Sequence, residues 1–151
     1  MKNILLVLTI ASLMVCCDKD NYIDSGIHEQ KHDCTVWEYF HTDRANWDSL
    51  IVMIEHAGMI KYFDGTNKDE ITILAPTNHS INQYLFQTLD DNGERLHEKV
   101  TDIPADECRE MLLSYMIHGK KFLEDFDHEV KGTQTGGTME QALSGIHLRV
   151  Y

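Results

Sequence analysis

The chain has 151 residues and a mass of 17.4 kDa, a size that suits one domain with short appendages. Apolar residues make up 42% of it, enough to build a core, and 25 acidic against 13 basic side chains give a formal net charge of -12. This acidic balance disfavours nucleic acid and a bare anionic membrane surface, so we expect no nucleic-acid partner.

The first 17 residues resemble a bacterial lipoprotein signal peptide. Lys2 gives a positive start, and the apolar run over residues 4–15 is too short to cross a bilayer. The run ends at Cys16 and Cys17, and a lipidated cysteine follows a small residue in such signals. We therefore expect the lipid on Cys17, with Cys16 as the alternative. Acyl chains would anchor the protein in the membrane. The expected location is the bacterial cell envelope, as an outer-membrane lipoprotein facing the periplasm or the surface.

Residues 18–34 are polar and indicate a linker between the anchor and a domain. The linker contains His28, Glu29 and His32 in an H-E-x-x-H arrangement, the zinc-binding pattern of metalloproteases. That chemistry needs both imidazoles on one face of a buried helix, and this polar segment has no apolar face. We therefore expect no metal site, and a zinc-dependent hydrolase is only an alternative.

Helices are predicted after the linker. Thr35 and Glu38 have the spacing of a capping box, which predicts a helix start. A second helix is predicted over residues 43–55, because Trp47, Leu50 and Ile54 fall on one face at helical spacing. Gly58 is expected to follow the end of that helix. We expect these three apolar side chains to be buried together with two later leucines, Leu74 and Leu112.

A short strand followed at once by a helix is predicted over residues 71–81. The strand is apolar around Thr72, and Pro76 must end it because proline cannot donate to a sheet ladder. Thr77 and Asn78 are both good residues for the start of a helix. The next apolar residues, Ile81, Tyr84 and Leu85, follow at helical spacing.

This segment resembles the first signature motif of fasciclin-type (FAS1) domains. Thr72, Ala75, Pro76, Thr77 and Asn78 match the motif, and a leucine stands where the family usually has phenylalanine. The resemblance implies an α+β fold over residues 35–151, with helices packed on a small β-sandwich or sheet. It also implies a non-catalytic binding or adhesion module that contacts protein or glycan.

A further helix is predicted from Pro104, with Cys108, Met111, Leu112 and Tyr115 on its buried side and Gly119 at its end. Its last part, residues 111–119, resembles the tyrosine-histidine motif of the same family. The family places the histidine directly after the tyrosine, whereas His118 lies three residues beyond Tyr115. We keep Tyr115 and His118 as binding candidates, although a core position is favoured for Tyr115.

The last residues predict a strand, because Ile146, Leu148 and Val150 alternate with polar residues. A complete fasciclin domain would continue beyond this strand, so the resemblance implies a domain that lacks its last strands. A truncated reading frame, a reduced variant or a partner chain that completes the sheet would each account for this.

Two cysteines remain once the signal is set aside. An exported protein meets an oxidising compartment, where thiols tend to pair, and the family arrangement puts the helices near Cys34 and Cys108 in one layer. A disulfide between them is one expectation. The other is a buried Cys108 and a free Cys34.

The sequence shows no nucleophile elbow and no phosphate-binding loop, and its nine histidines are scattered and expected at the surface. We therefore expect no enzyme and no cofactor. The predicted function is a lipid-anchored envelope module for binding or adhesion. An accessory lipoprotein of an outer-membrane glycan-uptake system is the alternative within the binding class.

Overall fold

The computed structural model describes residues 32–130, 133 and 135–151. These residues combine helices with short antiparallel strands, so the α+β class is confirmed. The helices, in chain order, are α1 (Val36–Thr42), α2 (Arg44–His56), α3 (Asn78–Gln87) and α4 (Ala105–Ser114). The strands are β1 (Ile71–Ile73), β2 (Met116–His118), β3 (Glu129–Val130), β4 (Thr135–Gly136), β5 (Thr138–Gln141) and β6 (His147–Val150). Single 3-10 turns lie at Ile60–Tyr62, Val100–Asp102 and Leu123–Asp125.

Helix α1 begins where the capping box predicts, and α2 begins and ends within a residue of its predicted bounds. At the start of α1, the Glu38 N–H donates to the Thr35 hydroxyl, and the Thr35 N–H donates to the Glu38 carboxylate at 2.8 Å. Hydrogen bonds from the Thr35 backbone and hydroxyl hold the pKa of Glu38 below its usual range. Helix α2 follows Asp43, and Gly58 takes a φ of 66° just beyond its end, a conformation that favours glycine.

The prediction that α4 continues to Gly119 is wrong. The helix ends at Ser114, and the next residues form β2, which pairs antiparallel with β1. Met116 and Ile117 are fully buried in this strand. The physical reason is tertiary: the short apolar run suits helix or strand, and pairing with β1 decides the outcome. Gly119, at a φ of 85°, ends the strand, and its N–H donates to the Glu70 carbonyl.

The described strands form three two-stranded antiparallel sheets. β1 pairs with β2, β3 with β4 and β5 with β6. A single bridge between Ile117 and Ala142 joins the β5–β6 hairpin to β2. Each pair is only two to four residues long, and nine of the fifteen buried residues of the main core cluster lie on helices, against one on a strand.

The core forms mainly between α2, α3 and α4. Leu50, Ile54 and Leu112 are fully buried in it, as predicted. Trp47 and Leu74 are only half-buried, which corrects the predicted set. Side chains alternate along β1, and the ones that pack on the core are those of residues 71, 73 and 75, so Leu74 points to the other face.

Near the end of the chain, β6 forms with Leu148 and Val150 half-buried on one face, as predicted. Ile146 differs from the prediction, because it precedes the strand and remains 48% exposed. The segment that leads into β5 contains Gly136 and Gly137, both with positive φ. A Cβ on Gly136 would lie 2.6 Å from the His128 carbonyl oxygen, which leaves no room for another residue there.

Candidate functional site: a tyrosine pocket between the helices

A partly open pocket of about 160 Å³ lies where α3 and the end of α4 meet α2. Most of its lining is apolar, and two tyrosines contribute to its wall. We call it the tyrosine pocket and define it by seven residues: Met53, Pro76, Ser80, Ile81, Tyr84, Met111 and Tyr115. It brings together Pro76 from the first fasciclin-like segment and Tyr115 from the second, which lie far apart in the sequence.

The turn after β1 builds one side of the tyrosine pocket. Pro76 ends the strand and lines the pocket itself. Thr77 is the N-cap of α3, and its hydroxyl accepts from the Ser80 N–H at 3.4 Å. Because α3 starts two residues after Pro76, its first two turns place Ser80 and Tyr84, four residues apart, on the pocket side.

Asn78 fastens α3 to the start of α2. Its side-chain oxygen accepts from the Ser49 N–H at 2.7 Å, and its amide nitrogen donates to the carbonyls of Ala45 at 2.8 Å and Arg44 at 3.1 Å. In a regular helix, the N–H of residue 49 donates to the carbonyl of residue 45. The Asn78 side chain bonds to both of these backbone groups. Asn78 therefore fixes the position of α3 against α2, and with it the pocket wall.

Tyr115 forms the opposite wall. Its N–H donates to the Leu112 carbonyl at the end of α4, and its own carbonyl accepts from the Leu74 N–H at 2.8 Å. These backbone bonds hold the end of α4 against the segment that leads to Pro76. The side chain of Tyr115 is 43% exposed, so the favoured prediction of a core position is wrong. Helix α4 ends at Ser114, so Tyr115 follows its last turn and lines the pocket instead of the core.

A carboxylate lies directly beside the pocket. The Tyr84 hydroxyl donates to the Glu107 side chain at 3.2 Å. Burial raises the pKa of Tyr84 above its usual value, and the negative charge of Glu107 raises it further. Helix α4 carries two more exposed acids, Asp106 and Glu110. With Arg109 as its one base, α4 is negatively charged, and its Glu107 lies beside the pocket, whereas the pocket lining carries no charge.

The other matching residues of the first segment have internal roles. The Thr72 hydroxyl donates to the Gly119 carbonyl at 2.8 Å and accepts from the Lys121 N–H at 2.9 Å, which ties β1 to the exit of β2. The Lys121 side chain forms an ion pair with Glu140 on β5. Ala75 packs against the core. Together these contacts hold the small sheets in place. The residues that make them do not line the pocket.

His118, the second binding candidate, lies on β2 opposite Ile71 and is exposed. It is not part of the pocket lining, so the structure does not bring it together with Tyr115 at one site.

The sequence led us to expect the histidines at the surface, but two of the described ones are not fully exposed. His97 is only 9% exposed, and its Nε2 has no hydrogen-bond partner among the described residues. His56 is half-buried, with its Nε2 2.8 Å from the Ile103 carbonyl oxygen. Within the part of the chain that is described, no three His, Cys, Asp or Glu side chains are grouped to hold a metal ion. Of the zinc-like pattern, His32 is exposed beside the Tyr39 ring at 4.8 Å, and His28 and Glu29 lie outside the described residues.

Cys34 and Cys108 are free cysteines in the structure, so the disulfide considered from the sequence is not formed in it. Cys34 is exposed before α1, whereas Cys108 is fully buried in α4. Burial raises the pKa of the Cys108 thiol, which keeps it protonated and unreactive. The predicted lipidation residues, Cys17 and Cys16, lie outside the described residues.

Comparison of the chain with models of known protein families gives no match, and comparison with curated protein sequences gives none. Among the described residues, no helix combines the length and the apolar character that crossing a membrane requires.

Five pocket residues were not singled out as a site from the sequence: Met53, Ser80, Ile81, Tyr84 and Met111. Helical spacing places Tyr84 and Met111 on apolar faces, and that spacing is the only signal they give. The structure leaves both half-buried, since nothing among the described residues covers the outer part of those faces.

Proposed function

We propose that the protein is a non-catalytic binding or adhesion module of the fasciclin type, anchored to the bacterial cell envelope through a lipid on Cys17. Its contact surface for protein or glycan centres on the tyrosine pocket. The observation that carries the proposal is the meeting of Pro76 and Tyr115 at one apolar pocket, because these residues come from the two segments that resemble fasciclin motifs.

The composition of the pocket supports a binding role. Tyrosine and methionine are enriched where proteins contact one another, since tyrosine combines a large apolar ring with a hydroxyl at low entropy cost. Tyr115 is 43% exposed and can contact a partner without refolding of the domain. The hydrogen bonds of Asn78 and of the Tyr115 backbone hold both walls in place, which reduces the ordering cost on binding.

The test measures binding by the full-length chain, purified in detergent and immobilised. Solubilised envelope proteins and a panel of glycans are passed over it. We expect saturable binding in one arm, and we expect Tyr115→Ala to weaken it at least tenfold, as for a central aromatic contact.

Tyr39→Ala is the matched control, because Tyr39 is 36% exposed on α1 and does not line the pocket. Equal binding by Tyr115→Ala and the parent would contradict the assignment of the contact surface. Binding in the glycan arm alone would favour the accessory role in glycan uptake. The absence of saturable binding in both arms would contradict the proposed function.

A further inference from the structure

The volume of the tyrosine pocket sets the size of the group that it can hold. About 160 Å³ is close to the cavity of about 150 Å³ that accommodates a benzene molecule in a protein core. That space suits one leucine, methionine or phenylalanine side chain. It is tight for a sugar ring with its hydroxyls, which would also need several polar partners inside the pocket.

The lining has few polar groups to offer. Its polar side-chain atoms are hydroxyls, and the Tyr84 hydroxyl already donates to Glu107. Met53 and Met111 contribute flexible, polarisable side chains that adapt to apolar groups of different shape. An apolar side chain therefore matches the interior better than a polar ligand does.

Acidic side chains lie on α4, the helix that borders one side of the pocket. Glu107 and Glu110 are exposed acids on that helix, and Glu107 accepts a hydrogen bond from the hydroxyl of Tyr84, which lines the pocket. The basic residue between them, Arg109, donates from its guanidinium to the Ala57 carbonyl at 2.8 Å, at the end of α2. Its positive charge remains, and with Asp106 the helix carries three acids against this one base, so α4 is negatively charged. The chain as a whole carries a formal net charge of -12, which adds to the negative field.

We infer that the tyrosine pocket anchors one leucine-, methionine- or phenylalanine-sized side chain of a protein segment that carries lysine or arginine beside that residue. The cations would pair with Glu107 and Glu110 while the apolar side chain enters between Tyr84 and Tyr115. This inference rests on the proposed binding function and commits it to the protein class of partner.

The test uses the full-length chain with carbon-13 labels on its methionine methyl groups. Met53 and Met111 report from the pocket, whereas Met59 and Met116 are fully buried and Met139 is exposed on β5, so these three serve as internal controls. The probe is a capped pentapeptide, Gly-Lys-Leu-Lys-Gly. The comparison peptides replace both lysines with glutamate or the leucine with serine.

We expect the lysine peptide to shift the methyl signals of Met53 and Met111 saturably and to leave Met59 and Met116 in place. The glutamate peptide should bind at least about fivefold more weakly at low salt, since two exposed charge pairs contribute modestly. That difference should shrink at about 0.5 M salt because of screening. The serine peptide should give no saturable shift.

The double variant Glu107→Lys with Glu110→Lys should reverse the preference and favour the glutamate peptide. Unchanged Met59 and Met116 signals confirm that this variant is folded. Equal binding of both charged peptides by the parent would overturn the charge selection. No saturable shift at Met53 and Met111 with any peptide, or a shift with maltoheptaose alone, would overturn the inference. In the last case, Tyr115-dependent glycan binding would leave the proposed function standing.

Discussion

Replacement of Asn78 by alanine tests whether this residue holds the pocket wall in place. The change removes three hydrogen bonds between α3 and the first turn of α2 and leaves the cap at Thr77 intact. Each such bond contributes about 0.5–1.5 kcal/mol net, and the site is half-buried, so Asn78→Ala should lower the free energy of unfolding by about 2–4 kcal/mol. That is a large share of the 5–15 kcal/mol typical of a domain.

Urea unfolding followed by tryptophan fluorescence measures the change, because Trp47 lies on α2 near the affected turn. Asn82→Ala is the matched control: the same substitution one turn further along α3, at an exposed position. It should change the free energy of unfolding by less than about 0.5 kcal/mol. Asn78→Asp should also destabilise, since it keeps the acceptor for the Ser49 N–H but brings a negative charge to the two carbonyls. A midpoint for Asn78→Ala equal to that of Asn82→Ala would refute the reasoning.

Four further predictions concern other parts of the molecule. Leu112→Ala should destabilise by about 2–5 kcal/mol in the same urea assay, because the side chain is fully buried; an unchanged midpoint would contradict this. In a variant without the two signal cysteines, Cys34 should react with a thiol reagent at once and Cys108 only after unfolding, and two labels per denatured, unreduced chain would confirm the absence of a bridge. Backbone N–H bonds lower the pKa of Asp90, so its contribution to stability is complete above its unfolded pKa and is lost as the pH falls through the folded one; a carboxyl-carbon NMR titration with an ordinary midpoint would refute that. Mass spectrometry of the mature N-terminus should find acyl chains on Cys17, and an unmodified residue other than cysteine there would exclude the anchor.

Local signals in the sequence predicted the helix starts well. The capping box of Thr35 and Glu38 and the threonine before α3 act within one turn, so their effect does not depend on the rest of the fold. The apolar stripe of α2 was equally reliable: Leu50 and Ile54 are fully buried, as their spacing predicts.

The end of α4 and the burial of His97 depended on contacts that local patterns do not contain. Met116 and Ile117 form a strand because β1 lies beside them, and the sequence shows only an apolar run. His97 follows an exposed leucine in a polar stretch, which predicts a surface position. It is buried in the structure, where the chain folds back so that the Leu96 N–H donates to the Thr88 carbonyl. Both outcomes follow from tertiary packing that overrides the local preference.

The pocket was missed for a related reason, and that reason separates fold from binding in this protein. Helical spacing shows which face of a helix is apolar but not whether another element covers that face, so half-covered Tyr84 and Met111 appeared to be core residues. Thr72, Thr77 and Asn78, which carry the fasciclin resemblance, are engaged in hydrogen bonds inside the domain. Residues with such internal roles support a shared architecture and do not by themselves specify a ligand. The pocket adds Tyr84, Met111 and Tyr115 from outside the first segment, so the resemblance of that segment alone is a weak guide to what this surface binds.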